Sequence, residues 1–176
     1  MRELGIAAVV ALGARTLSGM QARSAVLALA LATVAALPPP AVAQTSASVS
    51  VAPNLARAQP VSVTLVLHYD MQCGYPGPGP IGVTFPAQVR LPSRIARTAV
   101  RVDGHAAPAV AVSGRSVRVG LAPPPQIMCD EISEGELTIV FTRAAGLGNP
   151  LHAGAYTLAA SRGPSTFSAR FAIRRA

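Results

Sequence analysis

Short runs that alternate apolar and polar residues dominate the chain after residue 43. The clearest is VSVTLVL at 61–67, in which every second residue is apolar: Val61, Val63, Leu65 and Leu67. This period of two is what a half-buried strand requires. Comparable runs lie at residues 46–53, 81–85, 99–102, 109–112, 116–121, 137–141, 156–159 and 167–174. No window after residue 43 has an apolar stripe at the helical period of about 3.6, so the pattern predicts strands.

Glycine and proline punctuate these runs. The 12 Gly and 13 Pro of residues 44–176 are spread along the chain and do not form one linker. Asp103-Gly104 and Ser113-Gly114 each separate two runs, and such pairs suit the positive φ angles of tight hairpin turns. Many short strands joined by turns are typical of sandwiches and barrels. We therefore predict an all-β fold, an immunoglobulin-like antiparallel β-sandwich of seven to eight strands preceded by a signal peptide.

The signal peptide is predicted from the composition of residues 1–43, which contain no aromatic residue. Arg23 precedes an apolar run over 24–37, three prolines follow, and Ala41-Val42-Ala43 supplies a small-x-small cleavage site. A basic start, a short apolar stretch and such a site are typical of a secretory signal. The run is shorter than the ~20 residues that a membrane-spanning helix needs.

Two ranges follow from this prediction: a signal peptide over 1–43 and one domain over 44–176. A second apolar patch at 6–12 precedes the signal, which indicates that Met20 is the true start. We predict no transmembrane span in the mature chain, and a secreted, periplasmic or cell-surface location.

The only two cysteines, Cys73 and Cys129, both lie in the predicted exported domain. Two cysteines in an oxidising compartment are expected to pair. Gly- and Pro-rich sequence surrounds both, which favours a disulfide between two long loops over a buried bridge between sheets. In the chain-entropy model such a bridge stabilises the fold by roughly 4 kcal/mol.

The positive charge has two interpretations, attraction of anionic partners and an arginine-rich composition, of which we prefer the second. The 176 residues include 15 Arg, no Lys and 7 acids, for a net charge of +8. Arg90, Arg94, Arg97 and Arg101 fall within twelve residues, and the last three are candidate ligand-binding residues for an anionic cell-wall polymer. The competing interpretation is compositional, because arginine replaces lysine throughout the chain. Nucleic acid is not an expected partner, since the chain has no basic-aromatic strand motif.

Catalytic chemistry finds little support. There is no Gly-x-Ser-x-Gly motif, and His68, His105 and His152 come from separate segments, so a nucleophile with its base is not indicated. The chain has no Trp, so a sugar-stacking platform would depend on Tyr69 and Tyr75 in the Gly-Pro-rich region. We predict that the protein is not an enzyme and keep these two tyrosines as candidate ligand-binding residues.

Two groups of side chains bear on metal binding. His68, Asp70, Met71 and Cys73 fall within six residues, and sulfur and imidazole ligands suit copper. The cysteine, histidine and methionine spacing of a cupredoxin site is nevertheless absent. The acids at 130–136 lack the order of a calcium loop and are more typical of a solvated acidic loop. We predict no metal site and no cofactor.

One segment resembles a known family. It reads Gly146-Leu147-Gly148-Asn149-Pro150-Leu151-His152-Ala153-Gly154-Ala155-Tyr156-Thr157-Leu158. It resembles the closing segment, Gly-x-x-Asn-Pro-x-x-Ala-Gly-x-Tyr-x-Leu, of immunoglobulin-like modules in bacterial surface-layer and other cell-surface proteins. Asn149 is expected to form a turn by capping its own backbone, with Tyr156 packed beneath the turn. The resemblance implies a non-catalytic structural or interaction module and supplies no active site.

The chain departs from that family in two ways, since it holds a single copy of the pattern and two cysteines. The sequence as a whole predicts an exported, non-catalytic β-sandwich module that mediates contacts with cell-envelope or extracellular proteins. The alternative is a small secreted protein that binds a metal ion or an anionic glycan through the region from Tyr69 to Tyr75.

Overall fold

The alternating runs form strands in the computed structural model, which describes residues 45–72, 79–123 and 132–176. The described part contains ten strands: β1 Ser46–Ala52, β2 Ser62–Gln72, β3 Ile81–Thr84, β4 Val100–Val102, β5 His105–Ala106, β6 Val110–Ser113, β7 Ser116–Val119, β8 Ile132–Phe141, β9 Gly154–Arg162 and β10 Ser165–Ile173. Two single-turn 3-10 helices span Arg97–Ala99 and Arg143–Ala145. No α-helix occurs in these described ranges.

The strands form two five-stranded antiparallel sheets. Sheet 1 has the order β1-β2-β8-β4-β5, and sheet 2 has the order β10-β9-β3-β7-β6. The predicted all-β antiparallel sandwich is therefore confirmed, with ten strands in the described part where seven to eight were expected. Taking β1, β2, β3, β4, β8, β9 and β10 as strands A to G gives the orders A-B-E-D and G-F-C of a constant-type immunoglobulin fold, to which β5, β6 and β7 are additional.

The core lies between the sheets because alternate residues of each strand face inward. In β2, every second residue from Val63 to Met71 is buried, and its neighbours face solvent. Phe85 and Phe141 meet edge-to-face in this core with ring centroids 5.3 Å apart. The buried apolar side chains come from both sheets, so burial of apolar surface holds the two layers together.

Two strands are longer than the sequence predicted. β2 continues past Leu67 to Gln72, and β8 begins at Ile132, where an acidic loop was expected. Their residues pair over the full length, from Val63 opposite Phe141 to Gln72 opposite Ile132. The β2 extension was missed because Gly- and Pro-rich sequence follows it, although Tyr69 and Met71 continue the alternation. The β8 extension was missed because its inward positions, Ser133 and Gly135, are not apolar.

Both predicted hairpins are present. Asp103 and Gly104 form the two-residue turn between β4 and β5, with φ angles of 47° and 81°. In the second hairpin Ser113 pairs with Ser116, so the turn is one residue further along than predicted and begins at Gly114, whose φ is 57°. Positive φ at the first turn position matches the right-handed twist of the flanking strands.

Some predictions fall on residues outside the described ranges. The signal peptide, Cys73, Cys129, Tyr75 and the acids at 130–131 belong to this group, so the signal and the disulfide stay predictions. Among the described residues, no helix is long and apolar enough to cross a membrane.

Candidate binding groove at the lower end of the sandwich

One end of the sandwich is built by long connections. We call it the lower end, where β2 begins and β8 ends. Three segments meet there: residues 53–60 between β1 and β2, residues 85–92 after β3, and residues 142–153 between β8 and β9. Backbone bridges join them, with Val61 opposite Leu147 and Arg90 opposite Gly148.

Asn149 is the central tie of the lower end. It is the one buried polar residue among those described, with 2% of its surface exposed. Its side-chain nitrogen donates hydrogen bonds to the carbonyl oxygens of Pro53 and Leu55, both at 2.8 Å. The predicted cap of its own backbone is therefore wrong: the side chain holds the distant β1–β2 connection. Its backbone N–H also donates to the carbonyl of Ala58.

Tyr156 fixes the start of β9. Its hydroxyl donates to the backbone carbonyl of His152 at 2.8 Å, and its ring packs on Phe171 with centroids 5.8 Å apart. A tyrosine near the start of strand F that bonds to backbone a few residues upstream is a tyrosine corner, a feature of immunoglobulin-like sandwiches. The turn from Pro150 to Ala153 is thereby held against the strand, as the sequence predicted for Tyr156.

Three adjoining depressions cross this end and form what we call the end groove. The first, of about 450 Å³, is lined by Ala56, Arg57, Leu151, His152, Ala153 and Arg175 together with the last residue. The second, of about 470 Å³, shares Leu151 and His152 and adds Ala87, Gln88, Arg90 and Tyr156. The third, of about 450 Å³, continues past Gln88 and Arg90 to Gln59, Val89, Leu91, Pro92, Arg115 and Gly146. Shared linings make the three depressions one continuous surface.

The end groove combines apolar surface with positive charge. Leu151 is 55% exposed although it is a large apolar side chain. Arg57, Arg90 and Arg175 are exposed beside it. The groove contains no acid among its described lining residues. A cleft lined by one sign of charge concentrates the opposite charge, and an exposed apolar patch with a polar rim is typical of contact surfaces.

The described acids lie away from the groove. Asp70, Glu134 and Glu136 are exposed on the outer face of sheet 1 toward the opposite, upper end, and Asp103 lies in the β4–β5 turn. His68 faces Glu136 there, at 4.0 Å between ring nitrogen and carboxylate oxygen. Charge is therefore divided along the sandwich, with the groove at the positive end.

Arg115 has a structural task within the groove wall. Its guanidinium donates to the carbonyl of Pro86 and to that of Val89, the latter at 2.6 Å. The backbone carbonyl of Arg115 accepts from Phe85 in turn. These bonds hold residues 85–89 as one wall of the groove, so this side chain is less available to a ligand than Arg57 or Arg90.

Tyr69 does not fit the predicted sugar platform. It lies on β2, not in a loop, and only 5% of its surface is exposed. Its ring meets Phe167 edge-to-face at 5.6 Å and lies under the Arg162 guanidinium at 5.3 Å. Burial raises the pKa of Tyr69 above its ordinary value of 10.0, an effect that Arg162 opposes and Asp103 supports. Tyr69 is a core residue, and no ring face is open for a sugar to stack on.

The candidate arginines are exposed but separate from Tyr69. Arg94 and Arg97 precede β4, and Arg101 lies on it, with its guanidinium bonded to the carbonyl of Gly104 at 2.9 Å. Arg101 is level with Val140 in the sheet, whereas Tyr69 is level with Gly135. Five residues along β8 span about 17 Å. The structure therefore does not bring these predicted residues into one site.

The structure separates His68 and Met71, two of the side chains considered as metal ligands. His68 and Asp70 face solvent on β2, whereas Met71 faces the core and is 3% exposed. Successive strand residues point to opposite faces, so His68 and Met71 cannot hold one ion. No group of three or more potential ligands is gathered among the described residues.

Sequence reasoning missed the residues of the end groove. Leu151 and His152 directly follow the Asn-Pro pair, which the resemblance singled out only as a turn. Arg57 and Arg90 are far apart in the chain and meet at the lower end only after the sandwich has formed. The one local signal in the sequence was a large apolar residue, Leu151, directly after the turn-forming Asn-Pro pair, where a polar residue is more usual.

Comparison with known proteins gives no family for this chain. No protein-family model matches it, and no curated protein matches it. Among solved structures, it is similar to that of BslA, described as a bacterial hydrophobin. That likeness has 19% sequence identity and a TM-score of 0.46, and it covers 76% of this chain and 100% of the other.

Proposed function

We propose that this protein is an exported, non-catalytic β-sandwich module that binds cell-envelope or extracellular proteins through its end groove. The observation that carries the proposal is the groove itself: exposed Leu151 lies among Arg57, Arg90 and Arg175, with no described acid in the lining. A protein partner with an acidic rim and an apolar side chain would match both properties. The predicted membership among surface-layer-type immunoglobulin-like modules is part of this proposal.

Rigid walls support a binding role for the groove. Asn149, Tyr156 and Arg115 each tie one wall by hydrogen bonds to backbone carbonyls. A pre-formed surface binds with a smaller loss of conformational entropy than a loop that must order on contact. The side-chain hydrogen bonds of these three residues therefore fix the shape of the lower end.

Charge reversal in the groove tests the proposal. We expect Arg90→Glu with Arg175→Glu to reduce recovery of protein partners from an envelope extract at least tenfold, because two attractions become repulsions. The matched control reverses two exposed arginines on the outer face of sheet 2, Arg118→Glu with Arg170→Glu. Full retention of partners by the groove variant, with an unchanged melting temperature, would refute the proposed site.

A second candidate function is binding of an anionic glycan at the same groove, favoured by three arginines in a lining whose described residues include no acidic side chain. Titration with polygalacturonate separates the two candidates. Saturable binding that Arg90→Glu with Arg175→Glu abolishes, with Leu151→Ser unaffected, would favour the glycan. Loss of protein partners in Leu151→Ser would favour the protein.

A further inference from the structure

The sequence of β1 has none of the usual features that block a sheet edge, unlike the other terminal strands of the described part. Sheet edges present unpaired backbone groups, and proteins usually block them with charge, proline, bulges or short strands. β1 is seven residues long, SASVSVA, and contains no charge, proline or glycine. It pairs with β2 on one side, and it is the terminal strand of sheet 1.

The other three terminal strands each have a blocking feature. β5 has two residues and β6 has four. β10 carries Arg170 at its centre, and its lower end is covered by a parallel bridge between Leu55 and Arg174. Backbone bonds from Ala56 to Arg174 and from Arg174 to Asn54, both 2.8 Å, complete that cover. The same bonds lie directly after β1, which also lies close to β10, so β1 differs from the other terminal strands in its length and its lack of charge.

The inward side of β1 is also incompletely buried. Ala47, Val49 and Val51 face the core but remain partly exposed, whereas the inward residues of the adjacent strand β2 are buried. β10 of sheet 2 lies close to β1 on this flank, and part of the apolar surface of these three side chains nevertheless remains uncovered. A further strand added at this edge would cover it and pair the free backbone groups.

The sequence of β1 is self-complementary in antiparallel pairing. With Val49 opposite Val49 of a second copy, Ser48 lies opposite Ser50, and Ala47 lies opposite Val51. Inward residues then meet inward residues and serines meet serines, as a continuous sheet requires. No charge opposes a like charge in this register, because the strand has none.

We propose that two copies of this protein associate through their β1 strands, so that the two copies of sheet 1 join into one ten-stranded sheet. The contact is isologous, with the same strand on both sides of a twofold axis. Antiparallel pairing places the two lower ends at opposite ends of the dimer. If the groove binds as proposed, the dimer bridges two partners, and this last consequence alone rests on the proposed function.

Complementary charge variants test the association with the purified full chain. Ser48 and Ser50 are exposed and face each other across the proposed twofold axis. We expect the wild type to have the mass of two copies by light scattering at millimolar concentration. Ser48→Arg with Ser50→Arg is expected to have the mass of one copy, as is Ser48→Glu with Ser50→Glu. A 1:1 mixture of the two variants is expected to regain the mass of two copies.

The matched control places two arginines on the outer face of another edge strand, Ala111→Arg with Ser113→Arg on β6, and is expected to remain dimeric. A wild type with the mass of one copy at every concentration would overturn the proposal. Dimers in both like-charge variants, or a mixture that stays monomeric, would overturn it as well. None of these outcomes depends on partner binding by the groove, so the two proposals fail separately.

Discussion

At the scale of single residues, the hydrogen-bond partners of a buried polar side chain are the feature that the local sequence predicts least well, as Asn149 shows. The sequence predicts a turn at Asn149 from its place before a proline, and a turn is present. Its partners, Pro53 and Leu55, lie more than ninety residues away in the chain. No local pattern specifies a partner at that separation, so the role of this side chain emerges only from the assembled sandwich.

Replacing Asn149 tests that role. We expect Asn149→Ala to lower the free energy of unfolding by about 2 kcal/mol, because two carbonyls lose a part-buried donor. Asn149→Asp is expected to cost more, since a carboxylate has no donor and would face two carbonyl oxygens. Urea unfolding measures both. Thr157→Ala, at an exposed position of β9, serves as the control, and an equally small loss in all three variants would contradict the assignment.

Tyr69 gives a prediction about pH. Its hydroxyl is buried and has no hydrogen-bond partner among the described residues. Burial holds its folded pKa above 10.0, so above pH 10 the unfolded chain releases this proton more readily than the folded protein. The titration of Tyr69 therefore leaves the free energy of unfolding unchanged below pH 10 and lowers it as the pH rises from 10 through the folded pKa.

Tyr69→Phe is expected to raise stability at neutral pH by roughly 1 kcal/mol, because an unpartnered buried hydroxyl is removed. It is also expected to flatten the decline in stability above pH 10. Urea unfolding between pH 7 and 11 compares the variant with the wild type over the range named by these pKa values. A large loss of stability at neutral pH would show that the hydroxyl has a partner.

At the scale of elements, hairpins are predicted well and strand ends poorly. The turn at Asp103-Gly104 can be predicted from these two residues alone, since both tolerate the positive φ angles of the turn. β5 was missed because a two-residue strand has no period to detect. The upper part of β2 was missed because of the glycines and prolines that follow it, and the upper part of β8 because Ser133 and Gly135 at its inward positions give no apolar period. The charges of both parts lie outward, where a strand in a solvated sheet accepts them.

The β4–β5 turn is also held from outside the hairpin. The Asp103 carboxylate accepts from the backbone N–H of Thr138 at 2.8 Å, and the Asp103 N–H donates to the Thr138 carbonyl at 2.9 Å. Asp103→Ala is expected to lower the free energy of unfolding by about 1.5 kcal/mol, through the lost acceptor and the positive φ. Asp103→Asn keeps an acceptor oxygen and tolerates the turn, so a loss within about 0.5 kcal/mol is expected in the same unfolding measurement. Equal losses would argue against this hydrogen bond.

At the scale of the whole molecule, the fold class could be predicted from the alternating pattern, but the candidate site could not. Tyr69 was assigned to a loop by its position near glycines and prolines, and the register of β2 turns it into the core. The groove residues Arg57, Arg90 and Leu151 come from three connections. They become neighbours only when both sheets are in place, which periodicity does not reveal.

Export and the disulfide are tested together on the recovered protein. Gln72, the residue before Cys73, pairs with Ile132, which follows Cys129 by three residues. We expect mass spectrometry to find an N-terminus at Gln44 and a mass two hydrogens below that of the reduced chain. Reduction is expected to destabilise the protein by roughly 4 kcal/mol. Free thiols in freshly exported protein would contradict this prediction.

The central proposal is that the end groove is the surface through which this sandwich binds its partners. Amide hydrogen exchange of the full chain, with and without a partner fraction from envelope extract, tests it most directly. We expect slower exchange at residues 86–92 and 150–156, with no change on the outer face of sheet 2. Protection confined to that outer face, or to neither surface in a fraction that binds, would contradict the claim.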